Sequence, residues 1–150
     1  MKKYFLYLLV ICSFINCSSD DELRSFELLT SKRWVFDSYQ LLKVTSNPGN
    51  HSDSKIQDQI ISQYKNKVSY NFSKDYTADF FDGYYGYSIK WELVNNQLKL
   101  DFGERPSFNT TFTIRAIESD QLVLYHEKSA TVIDGDQTEY AGNSIFVAKP

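Results

Sequence analysis

Between Lys67 and Phe102 the chain alternates apolar and polar residues in short bursts, and a turn signal separates each burst from the next. No other feature constrains the fold as strongly. Val68, Tyr70 and Phe72 recur at every second position, followed by Tyr76, Ala78 and Phe80, then Tyr87, Ile89, Trp91 and Leu93, then Leu98, Leu100 and Phe102. A period of two places such residues on one face of a β-strand, with Ser88, Lys90 and Glu92 on the opposite face. Lys74-Asp75, Asp82-Gly83 and Asn95-Asn96 mark the reversals. Asn tolerates the positive φ that a tight hairpin requires. A meander of this kind leaves unpaired strand edges unless it closes or stacks.

The same reading extends in both directions. Arg33 to Leu42 is the first strand, with Trp34, Phe36 and Ser38 on one face and Val35, Asp37 and Tyr39 on the other. Residues 43–54 form a polar loop, after which Ser54 caps a helix from Lys55 to Lys65. Its Ile56, Ile60 and Tyr64 lie at i, i+4 and i+8, a one-sided stripe. Upstream, Phe26, Leu28 and Leu29 begin the ordered domain with a short helical turn. Downstream, Phe108 to Glu118 carries Phe112, Ile114 and Ala116 on one face, and Gln121 to Glu127 carries Leu122 and Leu124. A short apolar piece from Ala130 to Ile133, a turn at Asp134-Gly135-Asp136 and a closing strand from Ser144 to Ala148 complete the chain. The expected fold is all-β: an antiparallel up-and-down barrel of about eight strands, with one short helix between the first two. The chain's 11 tyrosines, 11 phenylalanines and 2 tryptophans suit such an interior.

The N-terminus carries a different message. Lys2 and Lys3 precede an apolar run from Tyr4 to Ile15. That run falls short of the roughly 20 residues needed to span a bilayer and fits the core of a secretory signal. Cys17 follows directly, with Phe14 at −3 and Asn16 at −1. This segment resembles a lipobox, in which the cysteine receives a diacylglycerol and becomes the first residue. The only other cysteine, Cys12, lies inside the leader, so Cys17 has no partner within the mature chain. Acyl chains in combination anchor stably. The expected organisation is a signal peptide over 1–16, a lipidated cysteine and acidic tether over 17–25, and a barrel domain over 26–150. The Ser18-Ser19-Asp20-Asp21-Glu22 stretch resembles the signal that sends Bacteroidetes lipoproteins to the outer face of the outer membrane. The implied location is the outer membrane, lipid-anchored and exposed at the cell surface.

The domain as a whole resembles the lipocalin-like domains of Bacteroidetes lipoproteins. The resemblance rests on Leu28-Leu29 leading into Lys32-Arg33-Trp34, on Tyr70-Asn71-Phe72-Ser73 ahead of the Asp82-Gly83 turn, and on Tyr87-Ser88-Ile89-Lys90-Trp91. It rests also on the paired units Asn96-Gln97-Leu98-Lys99-Leu100 and Asp120-Gln121-Leu122-Val123-Leu124. It implies a binding module for a small apolar or amphipathic ligand. Trp34, Tyr70, Phe72, Tyr87 and Trp91 are the candidate ligand-binding residues, unless the tryptophans simply plug the core. Tyr84 and Tyr85, on a hairpin tip flanked by Gly83 and Gly86, are candidate contacts for a protein or glycan partner, unless they pack over the barrel rim.

Catalytic chemistry is not expected. His51 and His126 have no ligating company nearby and read as a solvent-facing loop histidine and a strand-end histidine. Asp134-Gly135-Asp136 with Glu139 lacks the oxygen pattern of a calcium loop and reads as a hairpin turn. Glu92 and Asp101 fall close to opposite each other on neighbouring strands outside the barrel, beside Lys90 and Lys99, where charge pairing accounts for them. No nucleophile elbow or phosphate loop occurs. The reading is therefore of a protein that is not an enzyme, with no metal and no cofactor. The formal net charge of −3 disfavours a nucleic-acid partner.

Overall fold

Eight antiparallel strands follow one another around a closed barrel: β1 (Arg33–Ser46), β2 (Val68–Phe72), β3 (Thr77–Asp82), β4 (Gly86–Val94), β5 (Gln97–Asp101), β6 (Thr110–Ile117), β7 (Gln121–Ile133) and β8 (Asp136–Lys149). β8 pairs back onto β1, so the up-and-down barrel read from the sequence is the fold observed. The structure is a computed structural model that describes residues 20–149. The segment expected to be a signal peptide, Cys17 and the first residues of the expected tether lie outside the described residues. Helix α1 covers residues 20–30, and helix α2 (Asp53–Tyr64) joins β1 to β2. A single 3₁₀ turn, Pro106–Phe108, sits in the β5–β6 connection.

One end of the barrel is solid. Here β1 begins, β8 ends, and α1 crosses beneath. Trp34 is fully buried, and its indole donates a hydrogen bond of 3.1 Å to the Leu29 carbonyl at the end of α1. Trp91 donates to the carbonyls of Ser73 and Thr77 at the β2–β3 turn. Phe72 packs edge-on against Trp91 at 5.3 Å, and Phe26 of α1 stacks on Trp91 at 5.4 Å. Each ring buried this way contributes about 2–3 kcal/mol. Helix α1 is longer than the short turn expected: residues 20–25, read as tether, belong to it. Leu29, with no exposed surface, and Phe26 fix it to the barrel floor.

The other end is built differently. β1, β7 and β8 run on past the remaining strands, to Ser46, Ile133 and back from Asp136. The sequence reading stopped β1 at Leu42, split β7 after Glu127 and began the last strand only at Ser144. α2 packs on the inner side of this extension through Ile56 and Ile60, which are buried. Ser52, rather than Ser54, is its N-cap and accepts from the Lys55 amide. Gln57 accepts the Leu41 amide at 3.1 Å, and Gln63 accepts the Thr131 hydroxyl at 3.2 Å. β2 pairs with β1 only at Arg33 to Val35. Above that point the helix, not a strand, covers the free edge of β1, and the backbone donor there is still satisfied.

Bulges decide which side chains enter. The β1–β8 register shifts between Phe36 and Ser38, so Phe36 faces Phe146 while Tyr39, not Ser38, faces Ser144. Tyr39 therefore points inward and is buried, opposite to the face its alternation predicts. A second shift between Ile114 and Ala116 turns Ala116 away and brings Ile117 opposite Leu122. An extra residue in one strand reverses the facing of everything beyond it.

Candidate functional site

Above the solid floor the barrel holds a cavity of about 240 Å³. Phe36, Tyr70, Phe80, Phe112 and Phe146 form its walls, and Ile60 and Tyr64 of α2 lie over it. Phe36 meets Phe146 edge-on at 5.7 Å, and Tyr70 stacks on Phe80 at 4.9 Å. These rings come from β1, β2, β3, β6 and β8, each at an inward position of its strand.

One side of the cavity is polar. His126 of β7 lies between two serines: Ser129 Oγ is 2.5 Å from Nδ1, and Ser144 Oγ is 3.2 Å from Nε2. His126 follows Leu122 and Leu124 on the inward face of β7, and the register shift between His126 and Ser129 brings Ser129 to the same side. Burial pushes His126 down to about 4, so the ring is neutral at neutral pH. The Tyr39 ring lies 5.5 Å from His126 and 5.6 Å from Tyr140. Its hydroxyl is buried and has no hydrogen-bond partner among the described residues. Burial raises both tyrosines well above the ordinary phenol value; for Tyr39 the neighbouring Tyr140 and Tyr125 add to the effect. Gly142 makes room for this arrangement, since a side chain there would overlap Tyr39. Among the described residues lining the cavity there is no carboxylate, ammonium or guanidinium. The site offers neutral hydrogen-bonding groups within aromatic walls.

Of the residues expected to bind a ligand, only Tyr70 lines this cavity. Trp34, Phe72 and Trp91 are in the solid floor. Tyr87 is at the upper rim, stacked on Phe80. Its hydroxyl donates to Asp82 and accepts from Arg105, whose guanidinium lies 5.0 Å above the ring centre. Tyr84 and Tyr85, 81% and 68% exposed, project from the β3–β4 hairpin and do not pack over the rim. Asp82 Oδ1 accepts both of their backbone amides, at 2.8 and 2.7 Å, and these bonds hold its carboxyl below the usual range. Cys17 lies outside the described residues.

His126 is a correction to the sequence reading. It is not at a strand end but buried within a continuous β7. His51 is half-buried, with Nε2 3.2 Å from the Ile133 carbonyl. Asp134 of the β7–β8 turn pairs with Lys55, and Glu92 pairs with Lys99 across β4 and β5 at 3.1 Å. Among the described residues no three His, Cys, Asp or Glu side chains converge on a point. No helix among them is long and apolar enough to cross a membrane.

The sequence reading missed Tyr39, His126, Ser129, Tyr140 and Ser144. The signal for the last two was present: Thr138, Tyr140, Gly142, Ser144 and Phe146 share one face of β8 at period two. Mixed polar and apolar character hid it from a search for hydrophobic alternation.

No family model matches this chain, and no curated protein and no solved structure shows significant similarity to it. The reading of function therefore stands on the residues themselves.

Proposed function

We propose that this chain is a lipid-anchored outer-membrane protein, exposed at the cell surface, whose lipocalin-like barrel binds a small apolar or amphipathic molecule. It is a binding protein and not an enzyme. The observation that carries this reading is the aromatic-walled cavity under α2, in a barrel whose opposite half is filled. An engineered apolar cavity of roughly 150 Å³ admits benzene, so 240 Å³ accommodates about ten non-hydrogen atoms. That is smaller than most drug-sized sites.

Native mass spectrometry of protein purified without refolding tests the binding role. A stoichiometric small molecule, lost when Phe112→Trp fills the cavity, is the expected result; repeated preparations with none, and no binding of small aromatic probes, would overturn it. The anchor rests on Cys17 and its flanking sequence. Cys17→Ser should move the protein from the membrane fraction to the soluble one, and membrane association that survives the change would refute lipidation.

A second reading has its own support. Tyr84 and Tyr85 are exposed on a hairpin that Asp82 holds in shape. Rigid, exposed tyrosines make effective contacts for a protein or glycan. Binding to a glycan or peptide array that disappears in a Tyr84→Ser/Tyr85→Ser variant would support this role; an array with no signal for the unmodified protein would remove it.

A further inference from the structure

The polar wall of the cavity permits a statement about the ligand's chemistry, and this statement rests on the binding reading above. In a neutral imidazole one ring nitrogen donates and the other accepts. One of Ser129 and Ser144 must therefore accept from His126 while the other donates to it. Whichever tautomer holds, the accepting serine keeps its own hydroxyl proton, and the donating serine keeps free lone pairs. Tyr39 adds a buried hydroxyl that has no partner among the described residues. Leaving such a group unmatched costs about 1–3 kcal/mol, and a ligand that supplies the partner recovers it.

Charge is disfavoured on both sides. A carboxylate brought into this space would shed its hydration and meet no cation among the described lining residues. An ammonium would meet no carboxylate there. The aromatic walls, set edge-on and stacked around the space, suit a flat ring.

We infer that the cavity selects a neutral aromatic compound of about ten non-hydrogen atoms or fewer that carries a hydroxyl group, and that Tyr39 is the residue that recognises this hydroxyl. The aromatic walls hold the ring. The ligand hydroxyl exchanges hydrogen bonds with Tyr39 and the serine flanks of His126.

Titration calorimetry of the purified protein with p-cresol, toluene and 4-methylbenzoate tests this. p-Cresol should bind about fivefold or more tighter than toluene, the worth of one neutral hydrogen bond, and 4-methylbenzoate should bind weakest. Tyr39→Phe should remove the advantage of p-cresol, leave toluene unchanged and leave the thermal midpoint unchanged or raised. A merely structural Tyr39 would shift all the probes together. If none of the probes binds, the cavity reading itself fails. If toluene or 4-methylbenzoate binds as well as p-cresol, the hydroxyl inference fails while the cavity reading stands. If Tyr39→Phe does not fold, the ranking of the probes on the unmodified protein decides.

Discussion

Replacing Gly142 by alanine tests the packing that positions Tyr39. Gly142 lies on β8 opposite Leu41 and His126, where β8 passes between β1 and β7. A Cβ built there would overlap the Tyr39 hydroxyl and the Gln40 carbonyl oxygen, and would lie 2.7 Å from Tyr39 Cζ. A flexible side-chain tip could swing away, but Gln40 O belongs to the backbone of a strand paired along its length and cannot. Overpacking of this kind costs about 1–3 kcal/mol, and the backbone clash puts Gly142→Ala at about 3 kcal/mol. For a domain of this size that lowers the melting temperature by about 10 °C. Thermal and urea unfolding followed by circular dichroism read the change. A Tyr39→Ala background separates the contributions: about half of the cost should disappear there, because only the Tyr39 share is relieved. A neutral Gly142→Ala would show that Tyr39 does not lie against β8, and the geometry of the polar wall would have to be abandoned.

The buried His126 makes stability depend on pH. The unfolded chain takes up a proton near 6.5, whereas the folded chain resists until about 4, so the unfolded state binds more protons in between. Stability is therefore complete above about pH 6.5 and falls by about 3 kcal/mol in total as pH drops towards 4. Urea midpoints from pH 4 to 8 should show this slope, and His126→Gln should flatten it; a slope unchanged in the variant would refute the assignment. Trp34→Ala should cost about 3–5 kcal/mol, since it empties the barrel floor and leaves the Leu29 carbonyl without its indole donor. Differential scanning calorimetry measures that loss, and a cost under 1 kcal/mol would contradict the solid floor. Asp134→Asn should leave stability essentially unchanged despite its contact with Lys55, because both side chains are largely exposed. A clear loss in urea titration would mean that the β7–β8 turn and α2 are coupled more tightly than their packing implies.

The barrel was legible because its evidence is local. From Val68 to Phe102 each strand alternates, with Phe81 alone breaking the pattern, and each reversal carries Asn, Asp or Gly. Asn95 and Asn96 adopt positive φ, as a tight hairpin requires. The exterior placement of the charges was legible for the same reason, but the register was not: Glu92 falls opposite Lys99 and Lys90 opposite Asp101, not Glu92 opposite Asp101. The candidate site was mostly not legible. Tyr70 was identified, but the tryptophans expected beside it fill the floor, because nothing in a period-two pattern says at which height of the barrel a residue lies.

The sequence by itself determined the strand order, the closure and the aromatic filling, since neighbour-to-neighbour pairing and alternation are properties of short segments. It also carries the apolar N-terminal run and Cys17, on which the anchor proposal rests. Only the tertiary structure decided that Tyr39 turns inward, that His126 is buried between Ser129 and Ser144, and that β1, β7 and β8 extend to receive α2. The bulge at Asp37 turns Tyr39 inward, and the shift beyond His126 brings Ser129 to its ring. A bulge is settled by how two distant strands share their hydrogen bonds and side-chain volume, so no single segment records it.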